Sequence, residues 1–173
     1  MAITRASLKS IEEYIFPNTA YTLVSQITLQ KIFNATANGA VSVSASTSYF
    51  FECSFSLSAM SSLAGNFGFG FLGTATFTSV SYTALSNKSA TLSIPSMTEI
   101  VGSSIITATP LVSSSVVTTG LTKISGIIRI NAEGTLIPSV SLSIASPAVV
   151  GLNSYFRLVK IATNTQTNIG QWL

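Results

Sequence analysis

Tyr49-Phe50-Phe51-Glu52-Cys53-Ser54-Phe55-Ser56-Leu57-Ser58 is the stretch from which the rest of the chain can be read. Tyr49, Phe51, Cys53, Phe55 and Leu57 fall on one side of an extended backbone. Glu52, Ser54, Ser56 and Ser58 fall on the other, with Phe50 the exception. Side chains of a pleated strand point alternately to its two faces, so this pattern predicts a strand with one face in a core and one toward water. Cys53 stands on the apolar side and reads as a small buried hydrophobe. It is the only cysteine, and the chain has no histidine. An intrachain disulfide, a zinc cluster and a histidine-activated thiol are therefore all excluded.

Working outward, Val41-Ser42-Val43-Ser44-Ala45 alternates in the same way, and in Phe67-Gly68-Phe69-Gly70-Phe71 three rings project to one side and two glycines to the other. Those glycines do not make a phosphate loop, because large aromatics separate them and neither Lys-Ser/Thr nor a helix start follows. Further strands are predicted at Ala75–Leu85, Ala90–Ile94, Ile105–Thr109, Ser114–Thr118, Thr122–Asn131, Gly134–Ala145 and Tyr155–Ala162. The short Asn131-Ala132-Glu133-Gly134 link predicts a hairpin between two of them, with Pro138 suited to an edge or a bulge. Residues 96–121, rich in Ser, Thr and Gly, are read as containing long loops. Many short strands with almost no helix predict an all-β chain: an antiparallel β-sandwich, at this length a jelly roll, over residues 24–173.

Residues 1–23 differ, holding four of the thirteen charges. Ser10-Ile11-Glu12-Glu13 has capping-box spacing, and Leu8, Ile11 and Ile15 can share a helical face before Pro17-Asn18 ends the run. The segment reads as a short helix or an extended arm. It either docks on a partner or packs on its own domain.

Composition narrows the function. The chain has no aspartate and five glutamates (Glu12, Glu13, Glu52, Glu99 and Glu133), against 29 Ser and 21 Thr. General acid–base chemistry needs a titratable group poised near the working pH, and glycoside hydrolysis needs paired carboxyls. No catalytic, cofactor-binding or metal-ligating residue is assigned, and an enzyme is not expected. Only 8% of residues are charged, against roughly 25% in an ordinary domain. So little charge leaves a monomer poorly protected from association and predicts an oligomer. The net charge is +3, but the cations are scattered singly, unlike a phosphate-tracking groove, so no nucleic-acid partner is expected. No stretch approaches a spanning length of apolar residues, so membrane insertion is not expected either.

Several stretches carry a resemblance: Gln30-Lys31-Ile32-Phe33-Asn34-Ala35-Thr36-Ala37-Asn38-Gly39-Ala40, Ser48-Tyr49-Phe50-Phe51-Glu52, Gly126 through Pro138, and Val149-Val150-Gly151 leading to Ser154-Tyr155-Phe156-Arg157. Over roughly residues 30–162 the chain resembles domains of tailed-bacteriophage structural proteins. The resemblance implies a virion surface component, made in the host cytoplasm, whose sandwich trimerises in the manner of C1q- and TNF-like modules. Residues 1–29 lie outside it and are where attachment to the particle is expected.

Two roles follow as expectations. The first is a capsid decoration or cement protein, a homotrimer bound to the major capsid protein or another virion protein. Its partner-contacting arm holds Arg5, Leu8, Lys9, Ile11, Tyr14, Ile15 and Phe16, and Tyr155, Phe156 and Trp172 serve as oligomer interface or C-terminal anchor. The second is a neck or tail-fibre head that binds a host receptor or glycan, with loop residues 96–121 and Tyr82 as its platform.

Overall fold

The computed structural model describes residues 12–17, 19–33, 39–63, 65–87, 97–104, 109–111 and 118–165. Thirteen strands are described: β1 (Glu12–Ile15), β2 (Tyr21–Thr22), β3 (Gln30–Lys31), β4 (Val41–Val43), β5 (Thr47–Ser58), β6 (Phe67–Leu72), β7 (Thr76–Asn87), β8 (Met97–Ser104), β9 (Thr109–Leu111), β10 (Gly120–Ala132), β11 (Gly134–Leu142), β12 (Val149–Val150) and β13 (Tyr155–Thr163). The described residues contain no α-helix, and no helix long and apolar enough to cross a membrane. The chain is an all-β antiparallel sandwich. Its larger sheet runs β1-β13-β5-β10-β7-β8, with β12 joining β2 to β5, and its smaller sheet runs β3-β11-β6-β9, with β4 also on β11.

β5 is central to the large sheet, flanked by β10 and β13, and its inward residues form the middle of the core. The Phe51 ring lies 5.2 Å from that of Phe71 and 6.2 Å from that of Phe69 across the sandwich, and 6.4 Å from that of Phe156 beside it. All four are buried. Phe67, Phe69 and Phe71 point inward together, as their spacing predicts, while Gly68 and Gly70 lie opposite Ser141 and Ser139 of β11. Offset and edge-on rings add roughly 0.5–1.5 kcal/mol per pair beyond the area they bury. Cys53 is buried in the same core, and burial pushes its thiol well above the ordinary range.

The structure revises the expectations for the β10–β11 link, for Pro138 and for residues 96–121, and decides between the two readings of the N-terminal segment. β10 and β11 are not a hairpin, because β10 pairs β5 and β7 in the large sheet while β11 pairs β3, β4 and β6 in the small one. The Glu133–Gly134 link is a corner between sheets. It is favoured because β11 has apolar inward residues (Leu136, Val140, Leu142) that complete the layer holding the Phe67–Phe71 strand. Pro138 therefore sits inside a sheet, in the gap where pairing of β11 with β4 ends and pairing with β3 begins, so its missing N–H breaks no ladder. Its carbonyl accepts the Ile32 amide at 3.1 Å.

Of the two readings of the capping-box segment, a short helix or an extended arm, the extended one holds where it is described. Glu12–Ile15 is an edge strand on β13, and Tyr21–Thr22 pairs β12, so residues 12–15 and 21–22 belong to the sandwich. Pairing supplied by β13 outweighs a helical nucleus too short to be stable alone. Within residues 96–121, Met97–Ser104 and Thr109–Leu111 are strands, not loop. The strands expected at Ala90–Ile94 and Ser114–Thr118, apart from Thr118 itself, and residues 105–108 lie outside the described residues.

Candidate interaction surface and an adjoining cavity

The outward face of the large sheet holds the chemistry, and the strand registers lay it out in rows. One row runs Glu12, Val159, Phe50, Ile127 and Ser81 across five strands, and the next runs Tyr14, Arg157, Glu52, Ser125 and Thr83. Tyr155 stands opposite Ser54, and Lys123 faces the same serine from the other side. Arg157 therefore meets Glu52 directly, while Tyr155 and Lys123 reach it along the diagonals, the positions where cross-strand side chains interact.

Glu52 is the hub. Its Oε1 accepts the Tyr155 hydroxyl at 2.6 Å and the Lys123 ammonium at 2.9 Å, and its Oε2 lies 3.8 Å from the Arg157 guanidinium. The side chain is only 15% exposed although it points away from the core. The Tyr155 hydrogen bond, then that from Lys123, holds its carboxyl below the usual carboxylate range, and in return Tyr155 is pushed up to about 12. At the sheet edge Arg157 Nε donates to Glu12, which also accepts the Tyr14 hydroxyl. Glu12 is lowered in turn, by the Tyr14 bond first.

Beside this network stands an aromatic block. Tyr14 and Phe16 lie two residues apart on one face of the edge strand, with ring centroids 5.7 Å apart and planes 14° from parallel. Tyr155 continues the block 6.1 Å beyond Phe16, and the Arg157 guanidinium carbon sits 5.9 Å from the Tyr14 centroid. Tyr14 is 52% exposed, Phe16 64% and Ile127 46%. Exposed aromatics packed against an arginine have the composition of an interface hot spot.

The structure thus joins residues that the sequence suggested separately: Tyr14 and Phe16 from the arm, and Tyr155 from the interface set. Two others turn inward. Ile15 and Phe156 are paired across β1 and β13 and are buried in the core, so neither faces a partner. Arg5, Leu8, Lys9, Ile11 and Trp172 lie outside the described residues. Tyr82 is 5% exposed and packs edge-on against Phe51 and Phe69, so it offers no platform to a glycan. The Glu52–Lys123–Arg157–Glu12 network was missed, although each member stands at an outward position of an alternating strand. What was not readable was which strands are neighbours.

A cavity of about 200 Å³ opens where β1 and β13 of the large sheet face β4 of the small one, lined by Glu12, Glu13, Ser42, Ser44, Tyr49, Leu158 and Lys160. Tyr49 Oη accepts the Ser44 amide at 2.9 Å. Burial lifts the Glu13 carboxyl above its ordinary value. Among the described residues no group of three metal-ligating side chains gathers. The chain matches no protein-family model and no curated protein.

Proposed function

We propose that this chain is a non-catalytic structural component of a tailed-phage particle, a capsid decoration or cement protein built as a C1q/TNF-like jelly roll. It acts as a homotrimer fastened to the major capsid protein or another virion protein. The strand order supports the fold: β1-β13-β5-β10 in one layer and β3-β11-β6-β9 in the other is the alternation that nested Greek keys produce. The observation that carries the role is the aromatic block of Tyr14, Phe16 and Tyr155 beside the outward Phe50, Ile127 and Val159. An exposed apolar patch rimmed by satisfied ion pairs favours a protein partner over water.

The large-sheet face meets copies of the chain, and attachment to the shell lies with residues 1–11 ahead of β1. Because residues 12–15 and 21–22 are strands of the sandwich, the segment to delete is 1–11, which keeps every described strand. Quantitative mass spectrometry of purified particles tests the location. Hundreds of copies near a simple ratio to the major capsid protein support decoration of the shell. A dozen or so would overturn it in favour of a neck or tail head that meets a host receptor. Mass photometry of the isolated protein tests the trimer, and a monomer at micromolar concentration would count against it.

A further inference from the structure

The cavity beside β1 shares Glu12 with the ion-pair network but opens beside the aromatic block, not through it, and the role proposed above does not use it. Glu13 lies opposite Leu158 and Tyr49 opposite Lys160, so the large sheet supplies a floor of Leu158 and Tyr49 with Glu13 and Lys160 at its sides. Ser42 and Ser44 close it from β4 and the turn that follows.

The polar groups around it are unspent. Tyr49 is 6% exposed, and its hydroxyl oxygen accepts the Ser44 amide, which leaves the O–H proton with no acceptor among the described residues. A hydroxyl proton without a protein acceptor at a cavity wall is available to whatever fills the space. The side chains of Glu13 and Lys160 have no hydrogen-bond or ion-pair partner among the described residues, whereas that of Glu12 is occupied by Arg157 and Tyr14.

We propose that this cavity binds one neutral monosaccharide unit. The donor set decides the chemistry. A phenol and an ammonium donate, a carboxylate accepts, and two serine hydroxyls do either, which matches a ring of hydroxyls that are themselves both donors and acceptors. A simple anion would meet Glu12 and Glu13, and a simple cation would meet Lys160, so a neutral ligand fits the charges best. Leu158 offers an apolar patch for the C–H face of the ring. Size agrees: about 200 Å³ is below the usual range of pockets that take drug-sized ligands, so it suits one ring, and a longer chain would lead out to solvent.

The test is saturation-transfer NMR on the full chain with free glucose, galactose, mannose and N-acetylglucosamine. Each sugar is titrated to about 50 mM, a range that covers millimolar affinity. At least one sugar is expected to bind saturably, with Tyr49→Phe weakening it about tenfold and Glu13→Gln about threefold or more. Glu13 sits on an edge strand, so Glu13→Gln carries the test if Tyr49→Phe does not fold. No saturable sugar, or saturable binding that the folded variants leave unchanged, overturns the site. Particle occupancy is measured separately, so failure here leaves the shell reading standing, and failure there leaves this one.

Discussion

Thr74 and Thr135 clamp two sheet corners together. The Thr135 amide donates to Thr74 Oγ1 at 3.0 Å, and the Thr135 carbonyl accepts the amides of Thr74 and Ala75, each at 3.1 Å. Thr74 lies between β6 and β7 and Thr135 is the second residue of β11, so the two places where the chain passes between sheets on these paths share one set of hydrogen bonds. The backbone bonds fix how far the layers stand apart at that end, and hence how the Phe69 and Phe71 rings meet Phe51.

The clamp leaves no room at its two glycines. Gly73 has φ +121° and a Cβ there would lie 2.1 Å from the Thr135 carbonyl oxygen, while Gly134 has φ +159° and a Cβ there would lie 2.5 Å from the Ala75 nitrogen. Both obstacles are backbone, and both dihedrals suit glycine alone. Gly73→Ala or Gly134→Ala is expected to cost roughly 2–4 kcal/mol, a fall of roughly 5–15 °C in Tm at this size. Thermal melts of the two variants check it. An unchanged Tm for both would show that the corners are not held together as described.

Gly126 is a tighter case inside a strand. It lies on β10 between Phe51 and Tyr82, where a Cβ would sit 2.2 Å from the Ser81 carbonyl oxygen and 2.6 Å from Tyr82 Cβ. Alanine ordinarily favours a strand over glycine, so simple propensity predicts stabilisation. The close approach reverses the sign: Gly126→Ala is expected to destabilise by about 1–3 kcal/mol, read as a lower denaturant midpoint at unchanged m-value.

How much of this was legible follows from which forces are local. β5, β7, β10 and β13 announce themselves because each carries a core face, and alternation survives in the sequence. β8 does not, since Met97-Thr98-Glu99-Ile100 lacks alternation and its pairing comes from β7 alone. The Asn131–Gly134 link reads equally well as a hairpin or a corner, because the choice depends on whether β6 needs β11 more than β10 does. The same limit hid the surface. Glu52, Lys123 and Arg157 are each outward by period, but only the strand order β13-β5-β10 makes them neighbours. Leu8, Ile11 and Ile15 read as a helix face because their segment has a capping box, and where residues 12–15 are described only their pairing with β13 overrules it.

The ion-pair network sets a pH dependence whose sign can be worked out. Glu52 and Glu12 sit below the ordinary glutamate value near 4.5, so the unfolded chain takes up their protons first as pH falls. Their stabilisation is complete above that value and is lost as pH drops through the lowered folded values. Glu13, raised by burial, works in the opposite sense and favours the folded state once protonated. Melts from about pH 7 to about pH 3 are expected to show falling stability, shallower in Glu52→Gln and steeper in Glu13→Gln. Tyr155 supplies a second readout. Its phenol is pushed up to about 12, chiefly by its bond to Glu52, so Glu52→Gln should bring the alkaline phenolate transition of Tyr155 down toward its ordinary value of 10. A transition that does not move would mean that the 2.6 Å bond is not what holds the proton.

The aromatic block gives the sharpest separation between folding and association. Phe16 is 64% exposed and Ile127 46%, so replacing either by serine removes apolar surface from water without opening the core, and the fold should lose no more than about 0.5 kcal/mol. If the large-sheet face meets copies of the chain, the same changes remove anchors from the interface. Each is then expected to weaken self-association by about 1–2 kcal/mol, or roughly five- to thirtyfold in Kd. Arg157→Ala acts differently: it frees Glu12, uncovers the Tyr14 ring and removes a charge facing Glu52, so it should lower stability and association together. Mass photometry across a dilution series, with melts of the same samples, reads both quantities at once. Phe16→Ser and Ile127→Ser should move the oligomer–monomer midpoint while Tm at high dilution stays put. If dilution curves of both variants overlay the parent, copies meet through some other face, and the exposed block is left for a different partner.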